Sequence, residues 1–240
     1  MSPSRRLFLQ SLTVTLVAAL AAFLALTLLH AALPRLAPLD VGVQSAVHAW
    51  TSPALTDIMR ALTFIGSIEV FIPTLIAAVA VLLLIGQKEQ GVRLVRKRQV
   101  STLFAIGIGG ALILNGTFKT HFHRARPRVP WSIGDEHTFS FPSGHSLFSF
   151  VLYGLIAYSV LTRRDPLLRR LLVTLGCAAL ALGIGISRIY LGMHWPTDVL
   201  AGYLTAAIWL TATITIDRRW RAEFARSRAG LGQHPPVALN

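Results

Sequence analysis

The sequence predicts an all-α fold: an integral membrane bundle of six transmembrane helices, with short amphipathic interfacial helices between the first two spans. Apolar residues make up 53% of the 240 residues and charged residues only 14%, whereas a soluble domain of this size exposes far more charge. The apolar residues gather into runs of about 20, the length that crosses a bilayer core. The Arg and Lys residues gather between those runs, and unequally on the two sides, as topology by positive charge requires.

The first span is expected over 8–31. Met1 to Arg6 followed by an apolar run resembles a signal peptide, but the run continues to about Leu33 without a small-residue cleavage site, so an uncleaved helix is expected. Residues 36–65 are less apolar and read as a pair of amphipathic helices at the surface. Asp40 is expected to cap the first; Ser52-Pro53 opens the second, with serine at the cap and proline at the first helical position. The remaining spans are expected over 67–86, 99–118, 144–162, 170–188 and 196–215. Residues 1–216 then form one domain, and 217–240 a mobile basic cytoplasmic tail. No internal repeat interrupts this plan.

An even number of spans puts both termini on one side. Of the 23 Lys and Arg residues, 16 fall on that side, among them Arg5, Arg6, Lys88, Arg93, Arg96, Lys97, Arg98, Arg163, Arg164, Arg169, Arg170 and those after Asp217. The other side holds Arg35, Arg60, Lys119, Arg124, Arg126, Arg128 and Arg188. The basic side is therefore expected to be cytoplasmic, in a multi-pass protein of the cell inner (plasma) membrane. The net charge of +13 lacks the aromatic-interleaved basic surface of a nucleic-acid binder, so no nucleic-acid partner is expected. Cys177 is the single cysteine, which excludes an intrachain disulfide and leaves the compartment unread.

Three clusters fall at the ends of apolar runs, all on the less basic side. Lys119 and Arg126 offer a point charge and a planar fork suited to tetrahedral oxygens, although either could merely snorkel to the headgroups. Ser143-Gly144-His145, after Pro142, opens a span; a helix start presents unpaired N–H groups and a partial positive charge to an anion. Alone, it also reads as an ordinary capped start. Arg188 ends the fifth span, and His194 and Asp198 bracket the start of the sixth. A carboxylate on one ring nitrogen leaves the other as an unprotonated nucleophile; a capping Asp beside an interfacial His is the plainer alternative. Together they form an anion site suited to phosphoryl transfer, which needs positioned charge more than covalent machinery.

The pattern Lys119-x6-Arg126-Pro127, Pro142-Ser143-Gly144-His145, Ser187-Arg188-x5-His194-x3-Asp198 resembles the signature of the type 2 phosphatidic acid phosphatase superfamily, which includes the vanadium-dependent haloperoxidases. Less specifically, Leu39-Asp40, Pro53-Ala54-Leu55 and Thr63-Phe64-Ile65-Gly66 resemble the region before the second span in those proteins. The resemblance implies an acid phosphatase/vanadium haloperoxidase-like core and a metal-independent phosphatase with no cofactor. It implies His194 as the nucleophile that becomes phosphohistidine, Asp198 as its orienting carboxylate and His145 as general acid and then base. Lys119, Arg126, Ser143, Gly144 and Arg188 correspond to the phosphate cradle.

An outward site at headgroup depth points to a lipid phosphate of the outer leaflet: a polyprenyl diphosphate, phosphatidylglycerophosphate or phosphatidate. Transfer of the phosphoryl group to another acceptor, or a catalytically silent lipid-binding or transport role, are the competing readings. His121, His123, Arg124 and Arg128 are either donors to a second phosphate or interfacial anchors. Trp131 reads as an interfacial aromatic, and Glu69 as lining the entrance or facing headgroups. Asp135, Glu136 and His137 form a polar patch with no functional account, and no oligomeric state is legible.

Overall fold

The computed structural model describes residues 3–84, 90–133, 138–163 and 165–231. Lys88, Asp135, Glu136, His137, Arg164 and residues 232–240 lie outside them, as do the side chains of Arg93, Arg96, Lys97, Arg98 and Arg228. Seven helices and no strand occur among the described residues: α1 (Pro3–His48), α2 (Pro53–Ile65), α3 (Ile68–Leu84), α4 (Gln90–Phe122), α5 (Gly144–Leu161), α6 (Leu167–Tyr190) and α7 (Pro196–Leu231). Five are long and apolar enough to cross a membrane, and α2 with α3, bent by 59°, makes a sixth if the pair is one span. Alone, α3 has 17 residues and rises only about 26 Å at ~1.5 Å per residue, short of the ~30 Å hydrocarbon core. Serine 52 caps α2 as expected, its hydroxyl accepting the Leu55 N–H at 3.3 Å.

The expected pair of interfacial helices is not what forms. Residues 36–48 continue α1 without a break, although Pro34 and Pro38 lie inside it and each removes one backbone hydrogen bond. The reason is packing. Ala18, Ala22, Leu26, Leu33, Asp40 and Gln44 are all buried, and their spacing keeps one helical face against the bundle across both prolines. Asp40 therefore does not open a helix of its own; it is an interior group on the face of α1 that meets α7, where its Oδ1 accepts the first-turn Thr197 N–H. In the segment expected as a basic tail from 217, α7 continues to Leu231.

The α5 helix sits at the centre, packed against α4, α6 and α7, with Leu147, Val151, Leu152 and Leu155 almost fully buried. Around it the surface is apolar: Leu168, Leu172, Leu175, Leu182 and Ile186 of α6 are all exposed, a patch that water does not tolerate. Alternation of direction brings the ends of α4 and α6 and the starts of α5 and α7 to one end of the bundle. There α7 touches the start of α5 so closely that a Cβ at Gly202 would lie 2.6 Å from the Ser143 carbonyl oxygen. That contact is backbone and has no rotamer with which to yield. Gly202→Ala is expected to destabilise the fold by about 1–3 kcal/mol, read as a lowered melting temperature of the detergent-solubilised protein; an unchanged melting temperature would show that the two helices can separate there at no cost.

Candidate active site

The chain turn between α6 and α7 carries the third cluster. Gly192 adopts a φ of +69°, a left-handed conformation that glycine takes without steric penalty. This lets the N–H groups of Met193 and His194 both return to the Arg188 carbonyl, at 3.0 and 3.2 Å. Pro196 then starts α7, and Asp198 in its first turn folds back. Its Oδ2 accepts the Trp195 N–H at 2.9 Å and stands 3.4 Å from His194 Nδ1. The rings and carboxylate are enclosed: His194 is 1% exposed and Asp198 0%.

The remaining ring nitrogen, His194 Nε2, faces Arg126, whose Nη1 lies 3.1 Å away and also donates to the Met193 carbonyl at 2.8 Å. Arg126 Nε donates to the Thr138 carbonyl at 2.8 Å. Lys119, in the last turn of α4, reaches the same loop, donating to the Phe139 carbonyl at 2.7 Å. Two cations are thus aimed at one place and steadied by Thr138 and Phe139, neither of which the sequence singled out.

Ser143 stands at the cap position of α5, but its side chain makes no capping bond. Its hydroxyl accepts from Ser146 Oγ at 3.0 Å, and its N–H donates to the Asp198 carbonyl at 2.9 Å. The second motif is therefore tied directly to the third. The first turn, Gly144 onward, keeps the N–H groups that a helix start leaves without helical acceptors. Arg188 is 2% exposed, with Nη1 on the Thr63 hydroxyl at 2.9 Å. Glu69, in the first turn of α3, lies within electrostatic reach of His145.

Lys119, Gly144, His145 and His194 line a single cavity of 280 Å³ together with Thr138, Asn115 and an apolar side formed by Ile68, Phe71, Leu112 and Phe148. Arg126 and Asp198 flank the His194 ring, and Ser143 precedes Gly144; these three and Arg188 are not among the residues lining the cavity. Asn115, one turn before Lys119, contributes a buried amide oxygen; its place on the Lys119 face was the available signal, at a spacing of four residues. Among the described residues, no three His, Cys, Asp or Glu side chains converge as metal ligands.

The residues read as donors to a second phosphate or as interfacial anchors have these surroundings. Arg124 Nη1 donates to Asp198 Oδ1 at 2.5 Å and to the Thr197 hydroxyl at 2.7 Å; its Nη2 donates to Asp40 Oδ2 at 2.7 Å. His121 packs on Phe23 and Phe122, and His123 edge-on against Phe139. Arg128 is exposed. Trp131 is half-buried and stacked on His48, with ring centroids 3.8 Å apart.

Residues 100–222 match the family model described as the PAP2 superfamily. Phosphatidylglycerophosphatase B of Bacillus subtilis (strain 168) is 31% identical over 166 residues, which is 68% of this chain and 76% of that relative. Phosphatidylglycerophosphatase B of Escherichia coli (strain K12) is 36% identical over 85 residues, covering 33% of this chain and 32% of that relative. The solved structure of a transmembrane PAP2-type phosphatidylglycerolphosphate phosphatase from Bacillus subtilis superposes with a TM-score of 0.69 at 25% identity, over 84% of this chain and 96% of that one. Aquifex aeolicus LpxE superposes with a TM-score of 0.54 at 24% identity, over 74% and 95%, and speaks to the fold alone. With the three motifs gathered at one end of an apolar helical bundle and the family matched over half its length, the chain belongs to the PAP2 superfamily and is an integral membrane phosphatase.

Proposed function

We propose that the protein hydrolyses the phosphomonoester of a phosphatidylglycerophosphate-like lipid through a phosphohistidine on His194. The observation that carries this reading is the shared cavity: His194, His145, Lys119 and the Gly144 helix start line one hollow whose other side is apolar. An anion fits the first set and the lipid the second. The names of the relatives favour a lipid monoester. A diphosphate needs further donors, and Arg124, the best placed in sequence, is held by two aspartates.

Asp198 on Nδ1 directs the His194 proton to that nitrogen and leaves the Nε2 lone pair for phosphorus. Attack forms the P–N bond as the ester P–O bond breaks, and His145 gives its proton to the departing alcohol oxygen. His145 then takes a proton from water, whose oxygen attacks phosphorus. The P–N bond breaks, inorganic phosphate leaves and both rings return to their starting states. Throughout, the charge on the equatorial oxygens is offset by Lys119, Arg126 and Arg188, with the Ser143 hydroxyl and the Gly144 N–H as neutral donors. Each such donor contributes about 3 kcal/mol in a water-poor site. Fixed cations supply the charge, so no metal is required.

The same reading counts α2 and α3 as one bent second span, giving six. Both termini then lie in the cytoplasm of a cell whose inner membrane holds domain 1–216, followed by a basic tail. The cavity opens on the outer side, and the substrate comes from the outer leaflet. The 16 of 23 basic residues on the opposite side support this orientation.

His194→Ala is expected to reduce phosphate release from phosphatidylglycerophosphate micelles to background with the melting temperature retained; release near the native rate would place the nucleophile elsewhere. Lys119→Ala should lower kcat by about 10²-fold or more, measured on the same lipid. Because the two histidines must start in opposite protonation states, kcat/KM should be bell-shaped in pH and unaffected by EDTA. Loss of activity on chelation, restored by a divalent ion, would move the enzyme to another mechanistic class.

A further inference from the structure

Asp40, Arg124 and Thr197 form a clamp that the steps above do not use. Asp40 is 1% exposed. Its Oδ1 accepts the Thr197 N–H at 2.9 Å, and its Oδ2 accepts both the Thr197 hydroxyl and Arg124 Nη2 at 2.7 Å. Arg124 Nη1 completes the circuit on Thr197 Oγ1 and Asp198 Oδ1. Two buried carboxylates therefore share one guanidinium.

The charge count decides what this does. Arg124 alone would neutralise Asp198 and leave His194 facing a neutral pair. With Asp40 present, the triad carries one net negative charge, and Asp198 Oδ2 presents it to His194 Nδ1. A buried ion cluster is a costly tie, since well-packed apolar residues hold helices together at least as well. Its position behind the nucleophile points to chemistry.

We propose that Asp40 and Arg124 are positioning residues, and this rests on the reading of His194 as nucleophile: Arg124 fixes one Asp198 oxygen so that the other meets the ring, while Asp40 offsets the Arg124 charge so that Asp198 keeps its own for His194. The other charged or titratable groups around the ring are Arg126 at Nε2, Lys119 and His145 across the cavity, Arg188 behind its backbone, and Glu69 beyond His145. None of them changes when Asp40 is altered. Removing a negative charge disfavours the protonated imidazole, so neutral His194 persists to lower pH.

The test uses the full chain in detergent with a short-chain phosphatidylglycerophosphate. Asp40→Asn, which keeps an acceptor for the Thr197 N–H, should lower kcat about tenfold or more, as loss of a supporting group does at metal sites, with KM within about twofold. The acid limb of its pH profile should move to lower pH. Asp40→Glu keeps the charge and should leave that limb in place. In an Asp198→Asn background, Asp40→Asn should have no further effect on the rate. A native limb and rate in Asp40→Asn, or an equal loss in the Asp198→Asn background, overturns the proposal. If Asp40→Asn does not fold, Arg124→Lys carries the test: it keeps the charge but loses the fork that holds both aspartates, so kcat should fall with the acid limb in place, and native kcat there overturns the proposal too. His194→Ala, assayed in parallel, separates the two readings, because its retained activity would refute the phosphohistidine and not the clamp.

Discussion

Asp198 is the point on which the structure turns. Its carbonyl receives the Ser143 N–H, its Oδ1 receives Arg124, and its Oδ2 receives the Trp195 N–H and faces the His194 ring. A single fully buried residue therefore joins the loop after α4, the start of α5 and the start of α7. A charge in that position is unfavourable unless every lone pair is occupied. The requirement works in reverse as a constraint on the fold. Any arrangement of the helix ends that leaves Asp198 unsatisfied loses several interactions at once, so the three motifs come together or not at all.

The cations obey a different logic. Lys119 and Arg126 are bonded to the carbonyls of Phe139 and Thr138 and to the Thr138 hydroxyl, weak neutral acceptors for charged donors. A phosphate is a stronger acceptor than a carbonyl, so exchanging one for the other is favourable and needs little rearrangement of the side chains. On the proposed reading of these cations as a phosphate cradle, the loop acts as its rest. That arrangement keeps the donors aimed while avoiding an unpaired charge in a site of low dielectric, which is the condition under which preorganised groups act most strongly on developing charge.

How much of this the sequence disclosed follows from the range of the interactions. The motif residues could be read because each cluster is local: Pro196, Asp198 and His194 lie within one turn of one another, and Lys119 sits where an apolar run ends. The ends of α4, α5, α6 and α7 were legible for the same reason. Asp40 was not, because its partners Arg124 and Thr197 are 84 and 157 residues away in sequence and the prolines at 34 and 38 suggest a break that packing overrides. Arg124 was recognised as a donor beside the first motif, but its partners belong to α1 and α7. The α2–α3 bend was hidden because α3 alone is nearly long enough to be a span. Thr138 acts through its backbone as well as its hydroxyl, and backbone chemistry leaves no trace in residue type.

The far end of the bundle explains why the chemistry is confined to one side. Asp217, 7% exposed, accepts the Tyr158 hydroxyl at 2.7 Å and Arg221 Nε at 2.5 Å. An aspartate of α7 thus ties that helix to its α5 partner here, as Asp198 does at the site. The two aspartates stand roughly 28 Å apart along the axis at about 1.5 Å per residue, close to the ~30 Å hydrocarbon thickness. Between them α7 has no charged side chain, and the buried Thr205 and Thr213 hydroxyls turn back to the carbonyls of Ala201 and Trp209. Both polar ties therefore fall where an apolar slab ends. The distinction between the ends lies in what surrounds each aspartate: both have an arginine, but Asp217 has a tyrosine beside it, whereas Asp198 has a histidine that lines a cavity and whose second nitrogen meets Arg126. Each end of α7 has its tie, and only the one at Asp198 holds a histidine beside a cavity.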